Sequence, residues 1–178
     1  MKSIPSLLVF LLVAVGLTSC SDKNGLQNYI LDHAESVGFT STTIPISSLK
    51  QENLQLTEKQ QEAFDAVDRV SVLLYRYDQN KPEEFTTEKN NIKTILKQDK
   101  YEELMSFGNK GMLKYVGSED SMEEIVIYAA NKEMGFAVGR IIGDDMTLEK
   151  FMELYKIVQQ GNFSLSDFGD FSSFLTSN

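Results

Sequence analysis

The side chains that most often do nucleophilic or metal chemistry are scarce in this chain. Its 178 residues include 1 Cys and 1 His, at Cys20 and His33. A lone Cys excludes an internal disulfide framework and a Cys-based zinc site, and a lone His excludes the usual multi-His metal sites. We therefore predict that the protein holds no metal and no cofactor, and we expect His33 to be a surface or edge residue.

Adjacent carboxylates are the next candidates for catalysis, because general acid–base chemistry needs two carboxyl groups with different pKa values. Such pairs occur at Glu102-Glu103, Glu119-Asp120, Glu123-Glu124 and Asp144-Asp145. Neighbouring side chains on a strand or helix point in different directions, so a pair of this kind does not converge on a substrate. Asp144-Asp145 also lacks the acidic ladder, the Gly and the distal Glu of a calcium-binding loop. We expect all these pairs to lie in solvated turns and caps.

Nucleophilic catalysis has no better support in the sequence. No Gly-x-Ser-x-Gly elbow occurs. A Ser–Lys dyad stays open as an alternative because both residue types are plentiful, although no spacing supports one. We predict that the chain has no catalytic residues and that the protein is not an enzyme.

The residues before Cys20 show the pattern of a secretory signal. A basic start at Lys2 precedes the apolar run Leu7–Leu17, which is too short for a membrane-spanning helix of roughly 18 residues. The next residues, Leu17-Thr18-Ser19-Cys20, resemble the lipobox of bacterial lipoprotein signal peptides. The resemblance implies cleavage before Cys20, addition of a diacylglycerol group to its thiol, and acylation of the new amine, for example with palmitate. The alternative is an ordinary secreted protein with an unpaired thiol.

This pattern predicts where the protein resides. Residues 1–19 are expected to form a lipoprotein signal peptide and residues 20–25 a polar tether. Two or three acyl chains anchor a protein stably, at roughly 0.8 kcal/mol per buried methylene. We therefore expect a lipid-anchored protein of the cell envelope, held by the lipid on Cys20 to the outer membrane, with the leaflet left open.

Composition narrows the classes of partner. The formal net charge is −9, and this argues against nucleic acid, whose phosphates need clustered Lys and Arg. Apolar residues make up 42% and charged residues 24%, which is typical of a folded domain rather than of a disordered chain.

Hydrophobic periodicity predicts one α+β domain over residues 26–160. Helices are expected over Leu26–Val37, from a capping box at Thr57 through Val67, over about Glu83–Lys97, and over Leu148–Gln160 behind an N-cap at Thr147. Strands are expected over Phe39–Ile46, Arg69–Tyr77, Leu104–Phe107, Met112–Val116, Glu124–Ala130 and Phe136–Ile142. This order predicts a mainly antiparallel sheet that ends in a C-terminal β-meander, with the helices packed on one face.

Residues 161–178 are predicted to form a flexible tail that contains several Phe. Phe168, Phe171 and Phe174 lie three residues apart, a spacing that would align them on one side of a short helix. Gly169 weakens such a helix. Two interpretations stay open: the tail is loose or folded back on the domain, or its Phe side chains contact a partner on which the tail becomes ordered.

Several segments resemble a known family. They are FTSTTIPISSL at 39–49, the stretch from LTEKQQEAFDAV to VLLY at 56–75, DKYEELM at 99–105, and MEEIVIYAANKEMGFAVGRIIGDDM at 122–146. Together they are similar to the domain-of-unknown-function family numbered 4252, which comprises short bacterial envelope lipoproteins. The resemblance covers about residues 26–160 and implies one domain with an anchor. It implies no catalytic residues, and the neighbouring genes of members imply a link to envelope-responsive regulation.

These observations favour a non-enzymatic function. The leading hypothesis is a lipid-anchored cell-envelope protein that binds another envelope protein, in a process such as envelope sensing. The alternative is a periplasmic or surface carrier of an apolar ligand, because many Leu, Ile, Phe and Met side chains are available to line a pocket.

Overall fold

A computed structural model describes residues 25–49 and 55–160 of the chain. Its elements there are six β-strands and four α-helices, with a 3₁₀ turn at Ile46–Leu49. The strands are β1 (Phe39–Pro45), β2 (Val67–Arg76), β3 (Glu102–Ser106), β4 (Gly111–Ser118), β5 (Ser121–Asn131) and β6 (Gly135–Met146). The helices are α1 (Leu26–His33), α2 (Glu58–Asp65), α3 (Pro82–Ile95) and α4 (Leu148–Gln159).

The strands form a single sheet in the order β1-β2-β6-β5-β4-β3, and every neighbouring pair is antiparallel. Strands β3 to β6 follow one another as hairpins, and the long connection through α3 carries the chain from β2 to the far edge of the sheet. The predicted α+β class, antiparallel sheet and C-terminal β-meander are confirmed.

Side-chain caps set the starts of two helices, as predicted. The Thr57 hydroxyl accepts from the Gln60 backbone N–H, and the Gln60 side chain accepts from the Thr57 N–H, which completes a capping box before α2. Thr147 Oγ1 accepts from the Lys150 N–H before α4. Each cap satisfies backbone donors that have no partner inside the helix.

Helix α1 ends at His33, four residues before the predicted end at Val37. The N–H groups of Ala34 and Ser36 bond three residues back, so the last turn tightens. Gly38 then takes φ +86, which turns the chain into β1. Val37 is 92% exposed, so its side chain is not part of the buried face of α1. Its apolar character nevertheless fits the helical spacing, and this made the predicted helix too long.

Strand β2 lies inside the sheet, and helices pack on both faces of that sheet. Leu73 and Tyr75 point to the face covered by α1 and α3, which we name the front face. Val70 and Val72 point to the opposite, back face, where α2 and α4 pack. The prediction that the helices share one face is therefore wrong in this detail. The two-sided arrangement agrees with the apolar character of both sides of β2.

Aromatic rings fill the front core. Tyr75 stacks on Phe136 with ring centroids 5.2 Å apart, and Phe39 meets Tyr75 edge-on at 4.9 Å. Phe85 of α3 stacks on Tyr75 at 6.2 Å. Such pairs add about 0.5–1.5 kcal/mol each beyond the burial of their area. They hold α3 and the sheet in one relative position.

The predictions for Cys20, for the signal peptide and tether, and for Phe168, Phe171 and Phe174 concern residues outside the described ranges. Within residues 25–49 and 55–160, no helix is both long and apolar enough to cross a membrane.

Candidate functional site

The single imidazole, that of His33, lies at the C-terminal end of α1. The His33 ring stacks on Tyr29 with centroids 4.0 Å apart, and its Nδ1 is 2.8 Å from the Tyr29 carbonyl oxygen. Its Nε2 is 3.7 Å from Glu88 on α3. The expected surface or edge position is thus only half right, because His33 is half-buried and helps to hold α1.

Tyr29 and Glu88 make the closest polar contact between α1 and α3. The Tyr29 hydroxyl donates to Glu88 Oε2 at 2.5 Å, and Asn91 donates to the same oxygen at 3.0 Å. Burial, followed by the hydrogen bond to Glu88, raises the pKa of Tyr29 well above its usual value. The contact therefore joins a neutral phenol to a carboxylate.

The adjacent carboxylates do not form a catalytic pair. Glu102, Glu103, Glu119 and Asp120 are exposed, as expected, but Glu102 and Glu103 lie in β3 and not in a turn or cap. Glu123 is exposed, but Glu124 is only 9% exposed, so the expectation of a solvated pair is wrong there. Across the described ranges, no three His, Cys, Asp or Glu side chains group in a way that would hold a metal ion.

Glu124 instead forms a buried ion pair that the sequence analysis missed. Arg140 Nη2 lies 2.8 Å from Glu124 Oε2, and both side chains are 11% exposed. The Arg140 Nη1 group donates to Gln27 Oε1 near the start of α1. The signal was a charged residue inside each of two apolar strands, in positions that the alternation assigns to a covered face.

Arg140 of this pair belongs to a row of mostly polar positions that crosses the front face from edge to edge. Consecutive register partners in this row are Thr43, Ser71, Arg140, Val126, Lys114 and Glu103. Thr43 Oγ1 and Ser71 Oγ are 2.9 Å apart, and Lys114 Nζ donates to the Tyr101 carbonyl oxygen at 3.3 Å. The row borders the aromatic core and positions the first turn of α1, and it carries no converging nucleophile and base.

Two atoms of the ion pair have no hydrogen-bond partner in the described part of the chain: Glu124 Oε1 and Arg140 Nε. A buried ion pair is favourable only if its remaining donors and acceptors are also satisfied. This pair therefore contributes orientation to α1 more than it contributes net stability.

Helix α4 carries several exposed apolar side chains. Leu148, Met152 and Tyr155 are 45%, 43% and 50% exposed and follow one another at intervals of four and three residues. They form a row on the outer side of α4, which we name the α4 stripe. The inner side of α4 is formed by Phe151, Leu154, Ile157 and Val158.

Charged and polar contacts flank the α4 stripe. Lys59 of α2 lies 2.7 Å from Glu149, Lys156 lies 2.6 Å from Glu153, and Gln159 donates to the Tyr155 hydroxyl at 2.7 Å. The ion pair raises the pKa of Lys59 and lowers the pKa of Glu149. An apolar centre with a polar rim is the usual composition of a protein-binding surface.

A surface depression of about 420 Å³ lies at the start of α3. Its lining residues are Asn80, Lys81, Pro82, Glu83 and Glu84. Ligand pockets for apolar molecules are lined mainly by hydrophobic and aromatic side chains. This depression does not have such walls, so it does not favour the carrier hypothesis.

Comparisons with known proteins place the chain in a family without assigning it an activity. No curated protein and no solved structure matches the chain. The sequence model of the family described as "Domain of unknown function (DUF4252)" matches residues 33–154, which is well over half of the chain and runs from the end of α1 into α4. The protein therefore belongs to the DUF4252 family.

Proposed function

We propose that the protein is a non-enzymatic, lipid-anchored protein of the cell envelope that binds another envelope protein through the α4 stripe. The observation that carries the proposal is the row of Leu148, Met152 and Tyr155, exposed on a helix whose other side already packs in the core. A helix gains no folding stability from apolar side chains that face water, so a second apolar side favours a partner.

The composition of the stripe supports a protein partner. Tyr and Met are enriched at protein–protein interfaces, and a Tyr buried at the centre of one often contributes much of the binding energy. The charged groups beside the stripe, Lys59, Glu149 and Lys156, suit a polar rim. In this proposal the binding serves envelope sensing, the process suggested by the family resemblance.

Photo-crosslinking in cells tests the stripe. A benzoylphenylalanine at position 152 is expected to capture one protein repeatedly, whereas the same probe at Leu31 is the matched control. Leu31 is also an exposed apolar residue on a helix, at 60% exposure, but it lies on α1. Capture of the same protein with equal yield from both positions, or from neither, would contradict the proposal.

The binding affinity of substituted variants tests how much the α4 stripe contributes to binding. Met152→Lys and Tyr155→Lys are each expected to weaken binding of the captured protein by about 10-fold or more, because truncation at an interface centre costs over 1.4 kcal/mol. Leu31→Lys is expected to leave binding unchanged. All three positions are exposed, so the unfolding free energy is expected to change by no more than about 0.5 kcal/mol.

The anchor has its own test. The intact mass of the native protein is expected to show a chain that begins at Cys20 and carries acyl groups, and Cys20→Ser is expected to release the protein from membranes. An unmodified thiol in the native product would remove the anchor from the proposal and leave the binding surface to be judged separately.

A further inference from the structure

Part of the back face is buried although none of the four described helices packs over it. Val72, Leu74 and Ala137 are 2%, 4% and 1% exposed and form a cluster of their own. Within residues 25–49 and 55–160, the further apolar side chain packed against this cluster is Val70 of the same strand. Gly139, the register partner of Val72, is buried as well. We name Val72, Leu74, Ala137 and Gly139 the open back patch.

The back-face helices pack nearer the other end of the sheet. Phe64 of α2 and Ile157 of α4 form one cluster with Ile44 and Ile46, and Phe151 packs against the cluster that contains Val67 and Met146. An apolar sheet face is buried only when a second layer covers it. The near-complete burial of the open back patch therefore calls for a cover that these helices do not supply.

We propose that residues 161–178 of this chain are that cover, and that their apolar side chains pack on the open back patch. The segment begins directly after α4, which already lies on the back face. Ile157 and Val158, in the last turn of α4, contact the cluster that contains Ile44 of β1. Ile44 is paired with Val70, two residues from Val72, so the segment starts beside the patch.

Length and composition agree with this occupant. Eighteen residues separate Gln160 from the end of the sequence, and at roughly 3.3 Å per extended residue they reach across several strands spaced about 4.8 Å apart. Phe163, Leu165, Phe168, Phe171, Phe174 and Leu175 supply apolar side chains, and the charged residues of the segment are Asp167 and Asp170. The remaining segments fit less well, because residues 50–54 are few and residues 1–19 are expected to be cleaved.

The test is photo-crosslinking within the processed full chain, which begins at Cys20. A benzoylphenylalanine at position 171 is expected to form crosslinks to peptides of β2 or β6 in the same chain, located by mass spectrometry. A mixture of isotopically light and heavy chains separates crosslinks within a chain from those between chains. Crosslinks confined to other surfaces, or found only between chains, would overturn the proposal, as would capture of a different protein alone.

A second measurement uses the exposure of the patch. The full-chain variant F168S/F171S/F174S is expected to bind the dye ANS several-fold more strongly and to exchange backbone amides of β2 and β6 faster, because the patch loses its cover. Phe107→Ser is the matched control, since Phe107 is 59% exposed and lies outside the patch. Unchanged dye binding and exchange in the triple variant would overturn the proposal, and the crosslink decides it if that variant does not fold.

Discussion

At the scale of single residues, the least expected feature is a full ion pair in the covered face of a sheet. Arg140 reaches Glu124 at 2.8 Å and also binds Gln27 of α1. The pair connects β5, β6 and α1 through three side chains. Two of its atoms lack a hydrogen-bond partner among residues 25–49 and 55–160, so the pair contributes little net stability and serves to fix the relative orientation of these elements.

Replacing one partner of the pair is therefore expected to destabilise the fold much more than replacing both. Arg140→Met is expected to lower the unfolding free energy by about 3–5 kcal/mol, because it leaves the Glu124 charge buried alone. The double variant E124L/R140M is expected to recover most of that loss. Urea unfolding of the two singles and the double measures this, and a double variant as unstable as Arg140→Met would contradict the account.

The sequence could not have identified this pair, although each half was visible. Glu124 and Arg140 are 16 residues apart, and only the β5–β6 register brings them together. Adjacent carboxylates such as Glu123-Glu124 are usually solvated, and alternation can mark a covered position without showing which opposite charge lies beside it. Glu102 and Glu103, another adjacent pair, are both exposed, as this rule predicts.

At the scale of elements, α1 is held to the domain chiefly by its contacts with α3 and the front face. Leu26 and Ile30 are buried, and Tyr29 adds the hydrogen bond to Glu88 at 2.5 Å. A short helix of this length is marginal by itself in water, so these contacts decide whether it forms.

Removing the Tyr29 hydroxyl should weaken this docking in a pH-dependent way. Tyr29→Phe is expected to lower the unfolding free energy by about 1.5–3 kcal/mol at neutral pH, the usual contribution of a hydrogen bond to a charged group. The raised pKa of Tyr29 means that the folded chain keeps this proton above pH 10, where the unfolded chain loses it. The native protein should therefore lose about 1.4 kcal/mol of stability per pH unit there through Tyr29.

Tyr29→Phe lacks this titration, so its deficit relative to the native protein is expected to shrink as the pH rises above 10. Urea unfolding of both proteins from pH 7 to pH 11 measures the two slopes. Parallel slopes would show that Tyr29 titrates equally in the folded and unfolded states.

Element types were predictable, whereas helix ends and faces were less so. The caps at Thr57 and Thr147 lie where their sequence patterns indicated, because capping depends on residues three positions apart. The end of α1 was misjudged because Val37 continued the apolar spacing into a turn set by Gly38. The exposed side of α4 was not predictable, because periodicity cannot separate two apolar sides of one helix.

At the scale of the whole molecule, β6 joins the two parts of the sheet. It lies between β2 on one side and β5 on the other, and β1 reaches the meander only through β2 and β6. The sequence indicated the meander, since its hairpins are local. It did not indicate that β6 returns to pair with β2, because that pairing spans the whole length from Val67 to Met146.

Where β6 pairs with β2, the backbone of β2 leaves no room for a side chain at Gly135. A Cβ there would lie 1.8 Å from the Tyr75 carbonyl oxygen, and the residue has φ +119. Gly135→Ala is expected to lower the unfolding free energy by more than about 3 kcal/mol, because the clash is with backbone and the conformation disfavours a side chain. Thermal unfolding followed by circular dichroism measures this as a large fall in Tm.

Gly108→Ala is the matched control for Gly135→Ala. Gly108 also has a positive φ, +64, but a Cβ there would meet nothing within 4 Å. Its expected cost is only about 1–2 kcal/mol, from the conformation alone. Equal losses at the two glycines would mean that the close approach of Gly135 to β2 has no energetic role.

The position of α1 also determines how the molecule would respond to force. A pull on the proposed tether would enter the domain at Gly25, directly before Leu26 and Gln27. The packing of the buried Leu26 would bear that load first, and the load would reach the Gln27–Arg140 hydrogen bond before the Tyr29–Glu88 bond. Mechanical tension would thus peel α1 away turn by turn and uncover the Arg140–Glu124 charges, while the strands, which form a separate ladder, kept their register.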